Sequence, residues 1–474
     1  MQTMIFTFTP FPIQAEAGLH VIAEPDVPRP AVLKDNVARI PGKYKPRNKK
    51  NRSKKIAQKF GSPIEKETMS CNITFTHGNL IPAGNNMGKN RTLYLTDYCL
   101  TPHVNIPNAG ILCENDKIIG IGGVSAFSQD EPNLEVVDMT KCYALPGLID
   151  SHIHGGGGFD TELALEPEQT LEKLSRYLAS KGVTTFLPTL VSLPRKKMVD
   201  TVRRLAEMMQ SPLPGAVPCG LHLEGPFINP LKAGSQSRES CSPIDFSFLD
   251  ELLDASNGRI KLMTFAPELD QAEKLVGLLL DNGIIPSMGH SIANADETLR
   301  CIDAGASRCT HLFNGLPPIH HRKTCITDVV LTNDDVSTEI ILDGAHIDPR
   351  IVDITTRVKP PNKVIGVSNS IQFSPGQPNG YYEKNDRIFT REGVLAGTAH
   401  SLDVGWMHLR TYAHFSMCRA AACFTSNPAQ DLGLITRGEL SPGKRADITF
   451  FDSETSQVAM TLSRGVAIYK RESK

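Results

Sequence analysis

Between Ala144 and about Leu434, short apolar runs alternate with amphipathic stretches, and eight of the runs have the length and β-branched texture of strands. They are ALPGLIDSHIH, GVTTFLPTLV, AVPCGLHLEGP, IKLMTFAPE, IIPSMGHS, SRCTHLFN, STEIILDGAHID and NKVIGVSNS. Helical periodicity fills the gaps, as in LEKLSRYLASKG after the first run and PRKKMVDTVRRLAEMMQ after the second. Strands that alternate with helices build a parallel sheet, and eight of them meet the requirement of a closed (β/α)8 barrel of roughly 250 residues. An open doubly wound sheet is the alternative. No glycine-rich phosphate-binding fingerprint follows the first run, which weighs against it.

The reactive residues fall in one phase of this pattern. His152 and His154 end the first run, and period-2 alternation sends both imidazoles to one side, where they can share an ion. Gly155 to Gly158 then turn the chain without a Cβ penalty. Taken alone, an HxH is as readily a polar strand end as a metal site. Further on, Glu224 ends LHLEGP, His290 ends PSMGHS, His311 ends CTHLFN and His346 ends ILDGAH. A barrel brings all its strand C-termini to one face, so a carboxylate and three histidines would meet the HxH there. That cluster predicts a metal site.

The flanks read differently. Residues 1–70 form an appendage whose segment GKYKPRNKKNRSKKIAQKF (42–60) is densely basic and nearly without aliphatic residues, the composition of a flexible arm. Solvated tail is the favoured reading of it, over nuclear targeting or nucleic-acid binding. Met1 to Ala17 lacks a basic start and is interrupted by prolines, so it makes a poor signal peptide. Residues 71–143 carry alternating or β-branched runs, with an Asn115-Asp116 hairpin turn, and residues 436–474 repeat that texture. One small β-domain built from both ends, around a barrel over 144–435, is the economical organisation. Fifty Lys+Arg against 51 Asp+Glu exclude a general polyanion binder. No apolar run reaches the ~20 residues of a membrane span. Eleven cysteines without a CxxC pair suit reduced thiols and a cytoplasmic location.

The stretches PGLIDSHIHGGGGFD, GVTTFLPTLVS, GLHLEGPFINPLKAG, MGHSIANADE, THLFNGLPPIHHR, ILDGAHIDP, GVLAGTAHSLD and NPAQDLGL with GKRADITFFD lie in order over residues 95–470. In these the chain resembles the amidohydrolase superfamily and, within it, the N-acetylglucosamine-6-phosphate deacetylases. The resemblance implies a (β/α)8 barrel with a small β-sandwich domain from the two chain termini, usually as a homodimer. It implies hydrolysis of a phosphorylated N-acetyl amino sugar to amine and acetate. One divalent metal, most simply zinc, would be held by Glu224, His290 and His311, with a second position at His152 and His154. His346 matches the histidine that polarises the amide carbonyl. Ser235, Gln236, Asn314, Gly315, Leu395, Ala396 and Gly397 match substrate-contacting positions. Arg322 matches a residue that reaches the sugar phosphate from the neighbouring subunit.

Two departures stand out. Where the family carries its proton-transferring aspartate, within a V-T-D-A-like segment, this chain reads Val367-Ser368-Asn369-Ser370. A carboxamide can hydrogen-bond water but does not accept a proton near neutral pH. No other acid is expected nearby to substitute for it, since Asp386 is too far along to share the strand end. The second departure is Gln236, in LKAGSQ, where the family usually has histidine. Two functions therefore compete: a deacetylase that is slow or uses another proton carrier, and a degenerate homologue that keeps metal and sugar phosphate for binding or regulation. A dihydropyrimidinase- or dipeptidase-like hydrolase is a third reading, disfavoured by the lack of the carboxylate and of a bridging lysine.

Overall fold

The structure, a computed structural model, describes residues 91–372, 381–384, 387–391, 393–413 and 415–472, which belong to a compact unit, Asn85–Lys474. The basic arm, the strand-like run at 73–81 and Asp386 lie outside the described residues.

Eight parallel strands form the barrel in chain order: Leu148–Ile153, Val183–Val191, Leu221–Glu224, Ile260–Phe265, Ile285–Met288, Arg308–Cys309, Ser337–Ile341 and Val364–Val367. All eight lie within the eight runs singled out in the sequence. Seven neighbouring pairs are hydrogen-bonded ladders. Between the eighth and first strands there is no ladder, and the wall is completed locally instead. Asn369 N–H donates to the His152 carbonyl at 2.9 Å, and His154 N–H donates to the Ser370 carbonyl at 2.9 Å. Lower down, Cys423 and Phe424 wedge into the seam, their carbonyls accepting from Gly366 and Ile149 N–H groups. The barrel is thus nearly closed, and its seam lies between His152 and Asn369.

Amphipathic helices cover the wall for reasons visible in their sequences. The helix Phe246–Ser256 starts where the Asp245 carboxylate accepts from Ser247 and Phe248 N–H, and it stops at Asn257 in the left-handed region (φ 47°). The helix Ala295–Ala304 opens with a capping box between Asn294 and Glu297 and ends at Gly305 (φ 120°). Each turns an apolar stripe inward, Phe248, Leu249 and Leu252 in the first, onto the main core between helices and strands.

A mixed seven-stranded sheet stands beside the barrel, in the order Val466–Lys470, Val458–Ser463, Ile448–Asp452, Leu134–Pro146, Arg91–Leu100, Asn105–Glu114, Lys117–Gly123. Its central pairing, Ile448–Asp452 against Leu134–Pro146, joins the C-terminal segment to the N-terminal one. The Asn115-Asp116 turn links two of its strands, with Asn115 at φ 53° as a tight hairpin requires. A separate core of Tyr94, Ile111, Ile118, Phe450 and Leu462 packs within it. No helix among the described residues is long and apolar enough to cross a membrane.

The barrel interior holds a buried polar network as well as aliphatic side chains such as Leu187 and Leu262. Arg308, fully buried, spans it: it donates to Glu339 Oε1 from Nε and Nη2 at 3.0 and 2.8 Å, and is also paired with Asp431. Such a network is worth little net, but breaking it strands a charge, at about 3–5 kcal/mol. Arg308→Met is therefore expected to lower unfolding stability by roughly that amount, read from the shift of the urea unfolding midpoint at constant slope.

Candidate active site

The barrel's C-terminal face gathers Glu224, His290 and His311 from its third, fifth and sixth strands. Glu224 is the last residue of its strand, whereas His290 and His311 each lie two residues beyond theirs. There the backbone turns into the left-handed region, at φ 47° for His290 and 26° for His311; Asn369, past the eighth strand, sits at φ 49°. Non-glycine residues in that region cost about 1–3 kcal/mol each and gather at functional sites. The turn aims the side chains across the barrel mouth. Glu224 Oε1 lies 3.1 Å from His290 Nε2 and 2.9 Å from His311 Nε2, and the two Nε2 atoms are 3.1 Å apart. All three residues are buried.

The imidazole tautomers test whether these residues suit a cation. His290 Nδ1 lies 2.6 Å from the Lys232 carbonyl, which can only accept, so Nδ1 carries the proton and Nε2 a lone pair. The His290 lone pair and the Glu224 carboxylate oxygen, 3.1 Å apart, repel unless a cation stands between them. The donor set of one carboxylate and imidazole nitrogens fits a divalent ion such as zinc, with positions left for water. His311 Nδ1, by contrast, is buried without a hydrogen-bond partner among the described residues. Burial opposes ionisation of Glu224, yet the charge of His152 beside it holds its carboxyl well below the usual carboxylate range.

His152 and His154 point the same way, as strand alternation predicts, with Nε2 atoms 3.2 Å apart; together with Glu224 they form a second potential metal cluster. Their outer nitrogens are fixed: His152 Nδ1 by Glu339 Oε2 at 2.9 Å, His154 Nδ1 by the Thr189 carbonyl at 3.0 Å. Burial pulls His154 down to about 4, so it is neutral at pH 7. Two carboxamides face this second cluster. Gln236 Nε2 donates to Glu224 Oε2 at 2.8 Å while its Oε1 accepts from Ser192 N–H at 2.9 Å. Asn369 Oδ1 lies 3.1 Å from His154 Nε2; because His154 Nδ1 donates to the Thr189 carbonyl, Nε2 is an acceptor, and the amide bonds to it once rotated to turn its NH2 inward. The two departures noted in the sequence thus fall on opposite sides of one site.

A cavity of about 230 Å³ opens over the cluster. Of the residues singled out from sequence, Ser235, Gln236, Asn314, Gly315, His346, Asn369, Leu395 and Ala396 line it beside Glu224, His290, His311 and His154. His346 is held by Asp343, whose Oδ2 lies 2.7 Å from Nδ1 and whose Oδ1 accepts the His346 N–H at 2.9 Å. Gly315 must be glycine: φ is 65°, and a Cβ would come within 3.2 Å of His290 Nδ1. Leu395 and Ala396 arrive on a three-stranded flap with Tyr382–Lys384 and Arg387–Phe389. Gly397 does not line the cavity, because it is packed behind it, where a Cβ would sit 2.8 Å from Ile371. Arg322 lies outside this chain's cavity, exposed on the 317–323 loop. His152 lies beneath the cavity, fully buried.

One expectation is corrected. An acid does lie nearby: Glu162 lines the same cavity, although 207 residues separate it from Asn369 in sequence. The fold reaches it through the glycine turn after the first strand, which no local pattern around Asn369 reveals. Sequence reading also missed Glu339, Arg308 and Asp343, which orient His152 and His346. The available signal was a carboxylate in the middle of a strand-like run, STEII.

Comparisons with known proteins agree on the family. The amidohydrolase family profile matches residues 143–468. N-acetylglucosamine-6-phosphate deacetylase of Bacillus subtilis is 33% identical over 390 residues, covering 77% of this chain and 98% of that protein. An N-acetylgalactosamine-6-phosphate deacetylase of Escherichia coli O157:H7 is 29% identical over 65% of this chain and 83% of its own length. Among solved structures, a mutant N-acetyl-D-glucosamine-6-phosphate deacetylase from Mycobacterium smegmatis in complex with its N-acetylated sugar phosphate superposes with a TM-score of 0.72. Its identity is 25%, over 80% of this chain and 99% of that one. The Thermotoga maritima N-acetylglucosamine-6-phosphate deacetylase superposes with a TM-score of 0.69 at 29% identity, over 80% of this chain and 100% of its own.

Proposed function

Because this chain belongs to the amidohydrolase family, and within it to the N-acetylglucosamine-6-phosphate deacetylases, we propose that it hydrolyses the acetamide of N-acetylglucosamine 6-phosphate to glucosamine 6-phosphate and acetate. The observation that carries this is the convergence of Glu224, His290 and His311 beneath a cavity lined by His346, Gln236, Asn314 and Gly315.

Glu224, His290 and His311 are the proposed ligands of one divalent ion, zinc by their chemistry, with His152 and His154 as an optional second position. A divalent ion in such an open carboxylate-imidazole site supplies Lewis acidity and water activated near neutral pH. This chain's own groups do the rest. His346, oriented by Asp343, presents its other ring nitrogen to the substrate as a carbonyl-polarising donor. Ser235, Gln236 and Asn314 offer hydrogen bonds to a sugar, while Leu395 and Ala396 exclude water from one side. Asn369 holds the place of the proton-transferring aspartate, and this substitution slows turnover.

The phosphate end is assigned to Arg322 of a second copy, which makes a homodimer part of the proposal. The support is that no arginine lines this chain's cavity among the described residues, whereas Arg322 is exposed. Arg322→Ala should raise KM for the phosphorylated sugar about 10–100-fold, the worth of a charge-assisted hydrogen bond of about 1.5–3 kcal/mol, with little change in kcat. Unchanged KM would remove Arg322 from the site. A reducing, cytoplasmic setting is proposed as well, supported by the ten described cysteines, all unpaired.

Asn369 also supports a second reading: a homologue that binds metal and sugar phosphate without useful turnover. Amine release by zinc-loaded protein, measured with N-acetylglucosamine 6-phosphate, its galactosamine epimer and the unphosphorylated sugar, decides between them. Hydrolysis confined to a phosphorylated sugar supports the enzyme. Binding by calorimetry with no release supports the second reading.

A further inference from the structure

We infer that Glu162 is the proton carrier of this site, doing from the glycine turn after the first strand what Asn369 cannot do from the end of the eighth. The inference rests on the deacetylase reading above and adds to it the group that moves the proton.

Glu162 is placed firmly. It occupies the middle of the one-turn helix Thr161–Leu163, capped by Asp160, whose Oδ1 accepts the Glu162 N–H at 2.9 Å. Thr161 N–H donates to the His154 carbonyl at 2.9 Å, and Thr161 Oγ1 donates to the Thr189 carbonyl at 2.8 Å. That same carbonyl fixes His154 Nδ1, so the turn and His154 share one anchor. Asn369 contacts His154 as well, so Glu162 and Asn369 border one cavity with His154 common to both.

The carboxyl of Glu162 makes no hydrogen bond or ion pair with another side chain among the described residues, unlike the committed carboxylates Glu224, Glu339 and Asp343. Charged and titratable groups face it: Asp160 from its own turn, Lys197 from the neighbouring helix, Glu224 across the cavity and Tyr381 from the flap. Burial and the Asp160 charge push it up to about 7, near the value that lets one carboxyl both accept and return a proton at neutral pH.

In the step this assigns, the oxygen of water bonds to the acetyl carbon as one of its protons passes to the Glu162 carboxylate. Protonated Glu162 then gives that proton to the sugar nitrogen as the carbon–nitrogen bond breaks. Acetic acid and amine leave, the acid ionises to solvent, and Glu162 is again a carboxylate. No oxidant or further reactant is consumed.

A double-mutant cycle tests it, using zinc-loaded full-length wild type, Glu162→Gln, Asn369→Asp and the double variant, with kcat, KM and metal content for each. Glu162→Gln should lower wild-type kcat by at least ~10²-fold with KM and metal content little changed. In the Asn369→Asp background the same change should cost only a few-fold, because the restored aspartate carries the proton. Glu162→Asp, keeping a carboxyl in the same turn, should retain more activity than Glu162→Gln. An equal loss in both backgrounds would overturn the inference, since a structural role cannot depend on residue 369 in this way. Undiminished kcat in Glu162→Gln would also overturn it. Turnover by Asn369→Asp but none by wild type would remove Glu162 while leaving the deacetylase reading intact. If neither turned over, that reading would fall and Glu162 with it.

Discussion

Asn369→Asp should raise hydrolysis of N-acetylglucosamine 6-phosphate by at least ~10²-fold, the lower end of what positioned acid-base catalysis contributes. The exchange is conservative in every other respect. The side chains are isosteric, and aspartate, like asparagine, tolerates the left-handed backbone at this position (φ 49°). The residue's N–H remains bonded to the His152 carbonyl across the barrel seam. What changes is the group facing His154 Nε2 and the cavity: a carboxylate that can accept a proton replaces an amide that cannot. Steady-state kinetics of the two proteins at equal metal loading make the comparison. A wild-type rate already near ordinary enzyme values, or no gain in the variant, would show that Asn369 does not limit turnover.

The second large effect concerns the metal. Purified protein should carry about one equivalent of zinc or a similar ion, and Glu224→Gln or His311→Ala should lose it. With it should go any hydrolysis, because removing a ligand from a three-residue site leaves too few donors for a divalent ion. Elemental analysis of the dialysed proteins measures this directly. Chelation of the wild type should also lower its melting temperature, since a ligand that binds only the folded state stabilises it by mass action. Metal content unchanged in both variants would overturn the assignment, because Glu224 belongs to both candidate clusters, whereas loss in Glu224→Gln alone would point to the alternative at His152 and His154. The two carboxamides beside that alternative, Gln236 on Glu224 Oε2 and Asn369 on His154 Nε2, occupy atoms a second ion would need.

The two effects interlock. Glu224, His290 and His311 decide whether anything is bound; Asn369 and Glu162 decide whether a bound amide is turned over. Separating affinity from rate in each variant keeps the two questions apart, as an interaction lost only in the transition state lowers kcat without changing KM.

Much of this was legible in one dimension because the signals are local. Eight strands could be counted, since hydrophobic periodicity is a property of consecutive residues, and the Asn115-Asp116 hairpin and the Asp245 and Asn294 helix starts follow from short-range hydrogen bonding. The barrel in turn makes strand C-termini converge, so Glu224, His290, His311 and His346 could be brought to one mouth before any coordinates. Asn369 could be singled out because it breaks a short segment. Three-dimensional neighbours without a local signature could not. Glu339 holds His152 from 187 residues away, Arg308 joins Glu339 to Asp431, and Glu162 shares a cavity with Asn369 through a turn that follows the first strand rather than the eighth. The sequence by itself determined which elements form and which reactive residues cap them, for those depend on periodicity and side-chain chemistry. Only the tertiary structure decided that a second carboxyl stands opposite Asn369, because the last strand of a barrel closes beside the first, and that adjacency belongs to the closed ring rather than to any stretch of chain.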